Sequence, residues 1–225
     1  MPLLMLLVCW AWAEEARGGK SAQVRGTIEI TRVLTKKRVA VETYQNRGAA
    51  LENLAQKPGD FSEMDAVVVY VEGVVYWEGP VEAKGGGDLA LRQKNRRFSE
   101  SLLVVEAGAT VSFPNDDPIF HNVFSLSKAK SFDLGYYPQG QTRKVKFPKP
   151  GLVDVFCHLH PNMSASILVV PNRVYARPDR EGKFVLEGLP PGEHQLVAWH
   201  RAAGFFRKKV SVPGPAPHFV LPIRE

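Results

Sequence analysis

Short runs of β-branched and aromatic residues, each closed by Gly, Pro, Asn or Asp, recur along most of the chain and leave little room for anything but β-structure. Strands are expected near 23–31, 66–77, 102–106, 109–114, 121–126, 142–148, 152–157, 165–170, 173–177, 183–187, 194–200, 206–212 and 218–222. One short helix is expected over 48–56, where Ala49, Ala50, Leu51, Leu54 and Ala55 precede the breaker Lys57-Pro58-Gly59. The 225 residues suffice for one large or two small domains, and 19 glycines and 17 prolines suit a turn-rich all-β chain.

The N-terminus, MPLLMLLVCWAWAEEA, is an apolar run ending in Ala11-Trp12-Ala13, the small-x-small form of a signal-peptidase site. It predicts a signal peptide over 1–13 and a periplasmic or secreted protein, although the usual basic leader is missing. No other apolar stretch approaches the roughly 20 residues of a membrane span, so no stable membrane insertion is expected once the signal is removed. Cys9 would leave with the signal, and Val8 stands where a lipoprotein signal needs a small residue. Cys157 then becomes the lone cysteine of an exported chain, which makes it an intermolecular crosslink, an inert buried thiol or a functional sulfur.

The formal charge of +6 favours acidic partners through long-range attraction. Its basic groups are short, such as Lys36-Lys37-Arg38 and Arg207-Lys208-Lys209, and have no aromatic interleaving. Nucleic acid is therefore not expected as a partner.

The neighbours of Cys157 decide among its three roles. In LVDVFCHLHPNMSASILVV, Cys157, His160 and Met163 form C-x-x-H-x-x-M, and the alternation from Leu152 puts Cys157 on the face of Val153 and Val155. The chain is expected to turn over 158–163 before a strand resumes at Ala165. A trigonal copper centre needs two imidazoles, a thiolate and a weak axial ligand, commonly a thioether. The second imidazole is found upstream in TVSFPNDDPIFHNVFS, where His121 lies 36 residues before Cys157, a gap wide enough for the strands that would return it to the loop.

Each residue alone has a plainer explanation: His121 as a packed strand histidine, Met163 as core filler, Cys157 as a buried apolar group. It is their joint order and flanking turns that favour a ligand set of His121, Cys157, His160 and Met163. His158 is an extra imidazole at the strand end, expected to face away from Cys157. His194, His200 and His218 show no ligand spacing. Structural zinc usually takes more than one cysteine or paired histidines and has little use for a thioether. A cysteine nucleophile would need an oxyanion pocket that nothing in the sequence announces.

Residues 88–171 resemble a cupredoxin of the plastocyanin and amicyanin type. The likeness rests on Val105, Gly108, Val111, Phe113, Asn115 and Asp117 before the His121-Asn122 pair, together with the short C-x-x-H-x-x-M loop. The resemblance implies a Greek-key β-sandwich with one type 1 (blue) copper that carries single electrons between redox partner proteins without catalysis. It also implies that Asn122 ties the two ligand loops together and supports the thiolate by hydrogen bonding. His160 would offer the exposed edge, in an apolar rim formed by Leu159, Pro161, Ile119 and Phe120.

The C-terminal stretch has an Asp179-Arg180-Glu181-Gly182 turn, a strand through Phe184, then Leu189-Pro190-Pro191-Gly192 and an apolar strand. It resembles the carboxypeptidase regulatory-like family, whose opening strands resemble Val24-Arg25-Gly26-Thr27-Ile28 and 65–70 at the other end of the chain. Gly85-Gly86-Gly87 and Val170-Pro171-Asn172 bracket the segment between them. The expected architecture is all-β: a cupredoxin unit over 88–171 inserted in, or adjacent to, a second small β-sandwich made from 22–84 plus 173–225. Two other functions remain open on sequence alone, a periplasmic copper-binding or carrier protein and a metal-free β-sandwich interaction module.

Overall fold

The computed structural model describes residues 22–31, 62–73 and 89–222. The signal segment 1–13, the helix expected over 48–56, the glycine seam at 85–87 and the end of the strand expected over 66–77 lie outside those residues. Among the described residues the strands are, in order, β1 (Ala22–Ile30), β2 (Val67–Glu72), β3 (Gln93–Lys94), β4 (Arg97–Phe98), β5 (Leu102–Glu106), β6 (Thr110–Pro114), β7 (His121–Ser127) and β8 (Lys130–Tyr137). They continue with β9 (Thr142–Lys146), β10 (Gly151–Cys157), β11 (His160–Val170), β12 (Tyr175–Ala176), β13 (Lys183–Leu189), β14 (Gly192–His200), β15 (Gly204–Val212) and β16 (His218–Leu221). A single 3-10 turn over Glu63–Ala66 precedes β2, and Ser62 caps it by accepting a hydrogen bond from the Met64 amide. The described chain is thus all-β.

Two strand regions were not expected. The β3–β4 hairpin has two residues per strand, too few to show a period of two. Strand β8 lies at the edge of its sheet, where Ser131, Asp133 and Gly135 dilute its apolar signal. A third difference bears on the site: β11 begins at His160, not at Ala165, so the chain turns only through His158 and Leu159 before pairing resumes.

A five-stranded sheet in the order β5-β11-β10-β7-β8 faces the β6–β9 pair, which Leu89 to Gln93 flank through bridges Ala90–Ser112 and Gln93–Asn115. Between them lies a core that includes Val111, Phe113, Val123, Tyr137, Phe147, Val153, Val155, Cys157, Met163 and Ile167. Strand β1 pairs antiparallel with β13 and parallel with β16, while β2 lies between β12 and β14, with β15 outside β14. These two sheets enclose a second core containing Val24, Ile28, Val67, Val69, Val71, Phe184, Leu186, Leu196 and Leu221.

Strands β5 and β11 are buried on both faces. One face serves the first core; on the other, Leu102, Val104, Leu168 and Val170 pack against Val68, Tyr70, Val197 and Trp199 from β2 and β14. This explains why 102–105 and 167–170 read as continuous apolar runs instead of alternating ones. The two sandwiches therefore share an apolar face, and β11, fixed between that face and the first core, runs beside β10 into the site.

Candidate metal centre

Cys157 ends β10, His160 opens β11 and His121 opens β7, so three neighbouring strands converge at one end of the sheet. The alternation of β10 turns Val153, Val155 and Cys157 inward, as the sequence pattern requires. The pairing then slips: Phe156 faces Ser164 but Cys157 faces His160, so residues 161–163 are extra on the β11 side. That bulge leaves Pro161 and Asn162 exposed and buries Met163 in the same core cluster as Cys157.

One ligand atom from each of His121, Cys157 and His160 lies within 4.8 Å of the others, in a group able to hold a metal ion. The Cys157 Sγ is 3.7 Å from Nδ1 of His121 and 3.5 Å from Nδ1 of His160. A sulfur about 2.3 Å and a nitrogen about 2.0 Å from a common ion, at roughly 120°, would lie about 3.7 Å apart, so this donor set fits a shared metal. The two imidazole rings stand 4.7 Å apart at 56°. His121 and Cys157 are buried, whereas His160 is half-buried.

The orientation of His121 is set from behind. Its Nε2 lies 2.7 Å from Oδ2 of Asp117, a buried carboxylate, which leaves Nδ1 to face the sulfur. Asp117 also accepts from the backbone amides of Asn95 at 2.6 Å and Arg96 at 2.8 Å. Burial is the largest single influence on this carboxyl and pushes its pKa up. The Arg96 amide, the His121 ring and the Asn95 amide together outweigh burial and hold it below the ordinary carboxylate value.

Asn115 fixes the intervening turn. It accepts from the Asp117 amide at 3.0 Å and donates to the carbonyls of Ile119 at 2.8 Å and Tyr137 at 3.0 Å. The role of Asp117 was not read from the sequence, although the Asn-x-Asp spacing is a signal for such an Asx turn.

Asn122 donates to Oδ1 of Asp133 at 2.7 Å, and its carbonyl receives the His158 amide at 3.5 Å. It thus links the two ligand-bearing segments, with both ends of its side chain engaged on groups other than the Cys157 sulfur. His158 points outward, stacked on Phe124 at 3.8 Å and 3.6 Å from Asp133. The remaining histidines serve the second sandwich: His194 reaches the Pro190 carbonyl, buried His200 reaches Glu63, and His218 reaches Thr27 and Glu29. Burial first, then the charges of His121 and Arg96, hold the His160 imidazole below its ordinary pKa.

The chain matches no protein-family model and no curated protein. Among solved structures it is similar to a reduced mutant of amicyanin, 22% identical with a TM-score of 0.35, over 38% of this chain and 84% of that one. A Cu(I) form of another amicyanin mutant at pH 4 is 19% identical with a TM-score of 0.35, over 45% of this chain and 97% of that one. A Cu-containing nitrite reductase from Thermus scotoductus SA-01 is 22% identical with a TM-score of 0.36, over 37% of this chain and 22% of that one.

Proposed function

We propose that this chain holds one type 1 copper on His121, Cys157, His160 and Met163 and carries single electrons between redox partners, in the periplasm or as a secreted protein. The observation that carries the proposal is the convergence of two Nδ1 atoms and one sulfur in a largely buried pocket, at separations a shared ion would impose. Thiolate and thioether are soft donors that suit Cu(I), and imidazoles also accept Cu(II), so the bound metal would supply one-electron chemistry.

The protein's part is to hold and insulate. Asp117 fixes the His121 ring, the core around Met163 excludes water, and the two sandwiches clamp β11. His160 is the ligand left half-buried while His121, Cys157 and Met163 are buried, which makes it the route by which an electron enters or leaves. With the other donors enclosed, the site favours electron transfer over catalysis. The pairing of β1 and β2 with β12, β13, β14 and β16 supports a discontinuous second sandwich that draws strands from both sides of 88–171.

Titration of the purified protein with Cu(II) tests the assignment. An intense band near roughly 600 nm should appear, as expected for thiolate-to-copper charge transfer in a trigonal site. It should be absent from Cys157→Ser, and a wild-type protein that stays colourless would overturn the proposal. A reversible midpoint potential separates electron transfer from copper carriage, which predicts release of the ion to a chelator without redox cycling.

A further inference from the structure

Four basic residues, Arg92, Lys94, Arg96 and Arg97, stand within six positions on and beside the β3–β4 hairpin. Arg92 ends on Asp116 in a two-pronged pair at 2.7 and 3.0 Å. Lys94 and Arg96 at the tip are exposed, and neither pairs with a carboxylate among the described residues.

The tip is tied to the metal centre. Oδ2 of Asp117 receives both the Arg96 amide at 2.8 Å and Nε2 of His121 at 2.7 Å. The backbone of Arg96 is therefore two hydrogen bonds from the ring that stands beside His160.

Exposed apolar groups stand next to the candidate ligands in the chain. Phe120 is 56% exposed and Leu159 47% exposed, each adjacent in the chain to a candidate ligand, and Pro161 is exposed beside them. His160 thus sits in an apolar patch with positive charge on the hairpin flank. By contrast, in the basic group on β15, Arg207 is paired with Glu72 and Lys208 donates to the His218 carbonyl.

We propose that this face docks a protein with an acidic surface, Lys94 and Arg96 meeting a cluster of its carboxylates while Phe120 and Leu159 cover an apolar spot beside it. The proposal rests on the reading of His160 as the electron's route. Two exposed cations on a short hairpin beside exposed apolar side chains suit a protein partner. A nucleic-acid backbone calls for a longer basic track, and a lipid headgroup layer for cations around the whole patch. Charge at such a rim steers approach and fixes orientation, and salt weakens it.

Nitrogen-15 NMR of the full chain, with and without copper, tests this with three probes. Hexacyanochromate(III), a redox-inert paramagnetic trianion, should broaden amides at 94–97, 119–121 and 158–160 of the metal-free protein. Poly-L-glutamate should shift the same amides, and the double variant Lys94→Gln/Arg96→Gln should weaken its binding about fivefold or more at low salt. Lys208→Gln/Lys209→Gln should leave that binding unchanged. Phosphatidylglycerol vesicles should not compete for the same amides.

Broadening centred on 207–209 or scattered over the surface, no binding of poly-L-glutamate, or vesicle binding lost in the hairpin variant would each overturn the proposal. The measurement on metal-free protein does not depend on copper. A blue protein with an indifferent hairpin would sink the docking surface alone, and a colourless protein would sink the copper reading whatever the hairpin does.

Discussion

Asp117 illustrates how much of a candidate metal site can lie behind the donors themselves. The carboxylate is buried and takes three donors, two of them amides of a distant hairpin, so the His121 ring has its tautomer and angle fixed before any ion arrives. Asp117→Asn keeps the shape but removes the charge that faces the ring and holds its orientation. Copper affinity should fall about 10- to 100-fold, measured by competition with a chelator, and the charge-transfer band should shift.

A second residue-scale prediction concerns His160 in the metal-free protein. Because its pKa is held below the ordinary value of about 6.5, there is a window below that value in which the unfolded chain carries a proton the folded chain refuses. The corresponding stability is fully present above about pH 6.5 and declines as pH falls through that window. Urea midpoints should therefore drop between pH 7 and 5, and His160→Gln should flatten part of that slope. An equal slope in both proteins would count against it.

At the scale of elements, the β3–β4 hairpin turns on two residues in the left-handed region, Asn95 at φ +55° and Arg96 at φ +56°. That is the backbone of a type I′ turn, for which Asn followed by Gly is the favoured pair. Arg96 therefore occupies a position that a β-branched residue tolerates poorly. Arg96→Val should destabilise the protein by about 1 kcal/mol or more relative to Arg96→Gly, read as a difference in urea midpoints. The turn also aims the two amides at Asp117, so its shape bears on the metal centre as well as on the fold.

The β10–β11 turn shows what periodicity can and cannot reveal. Alternation from Leu152 to Cys157 placed the sulfur correctly, because a strand's side chains alternate whatever its partners are. The start of β11 at His160 did not follow from the same pattern, since the bulge over 161–163 interrupts the alternation just where the next strand begins.

Across the whole molecule, the first two strands are bound into sheets built mainly from the last five. Glycine at 182 permits one of these contacts: its φ is +79°, its carbonyl accepts the Ile28 amide at 2.7 Å, and a Cβ there would strike the Ile28 carbonyl oxygen. Proteolytic nicking at 85–87 should therefore leave the two pieces associated, eluting together from a sizing column until denaturant is added. Separation in native buffer would show that β1 and β2 are held more weakly than their ladders and the shared core around Val67, Val69 and Leu196 indicate.

Local patterns determined the all-β character, most strand positions, the inward face of Cys157 and the order of the candidate ligands, because side-chain alternation, turn chemistry and donor type are properties of short segments. Tertiary structure alone decided which atoms meet. The 3.5 and 3.7 Å approaches to the sulfur, Asp117 behind His121, the cationic hairpin beside His160 and the apolar cover over β5 and β11 all join residues from separate segments. No local period encodes such contacts; they arise when strands distant in sequence bury their faces together.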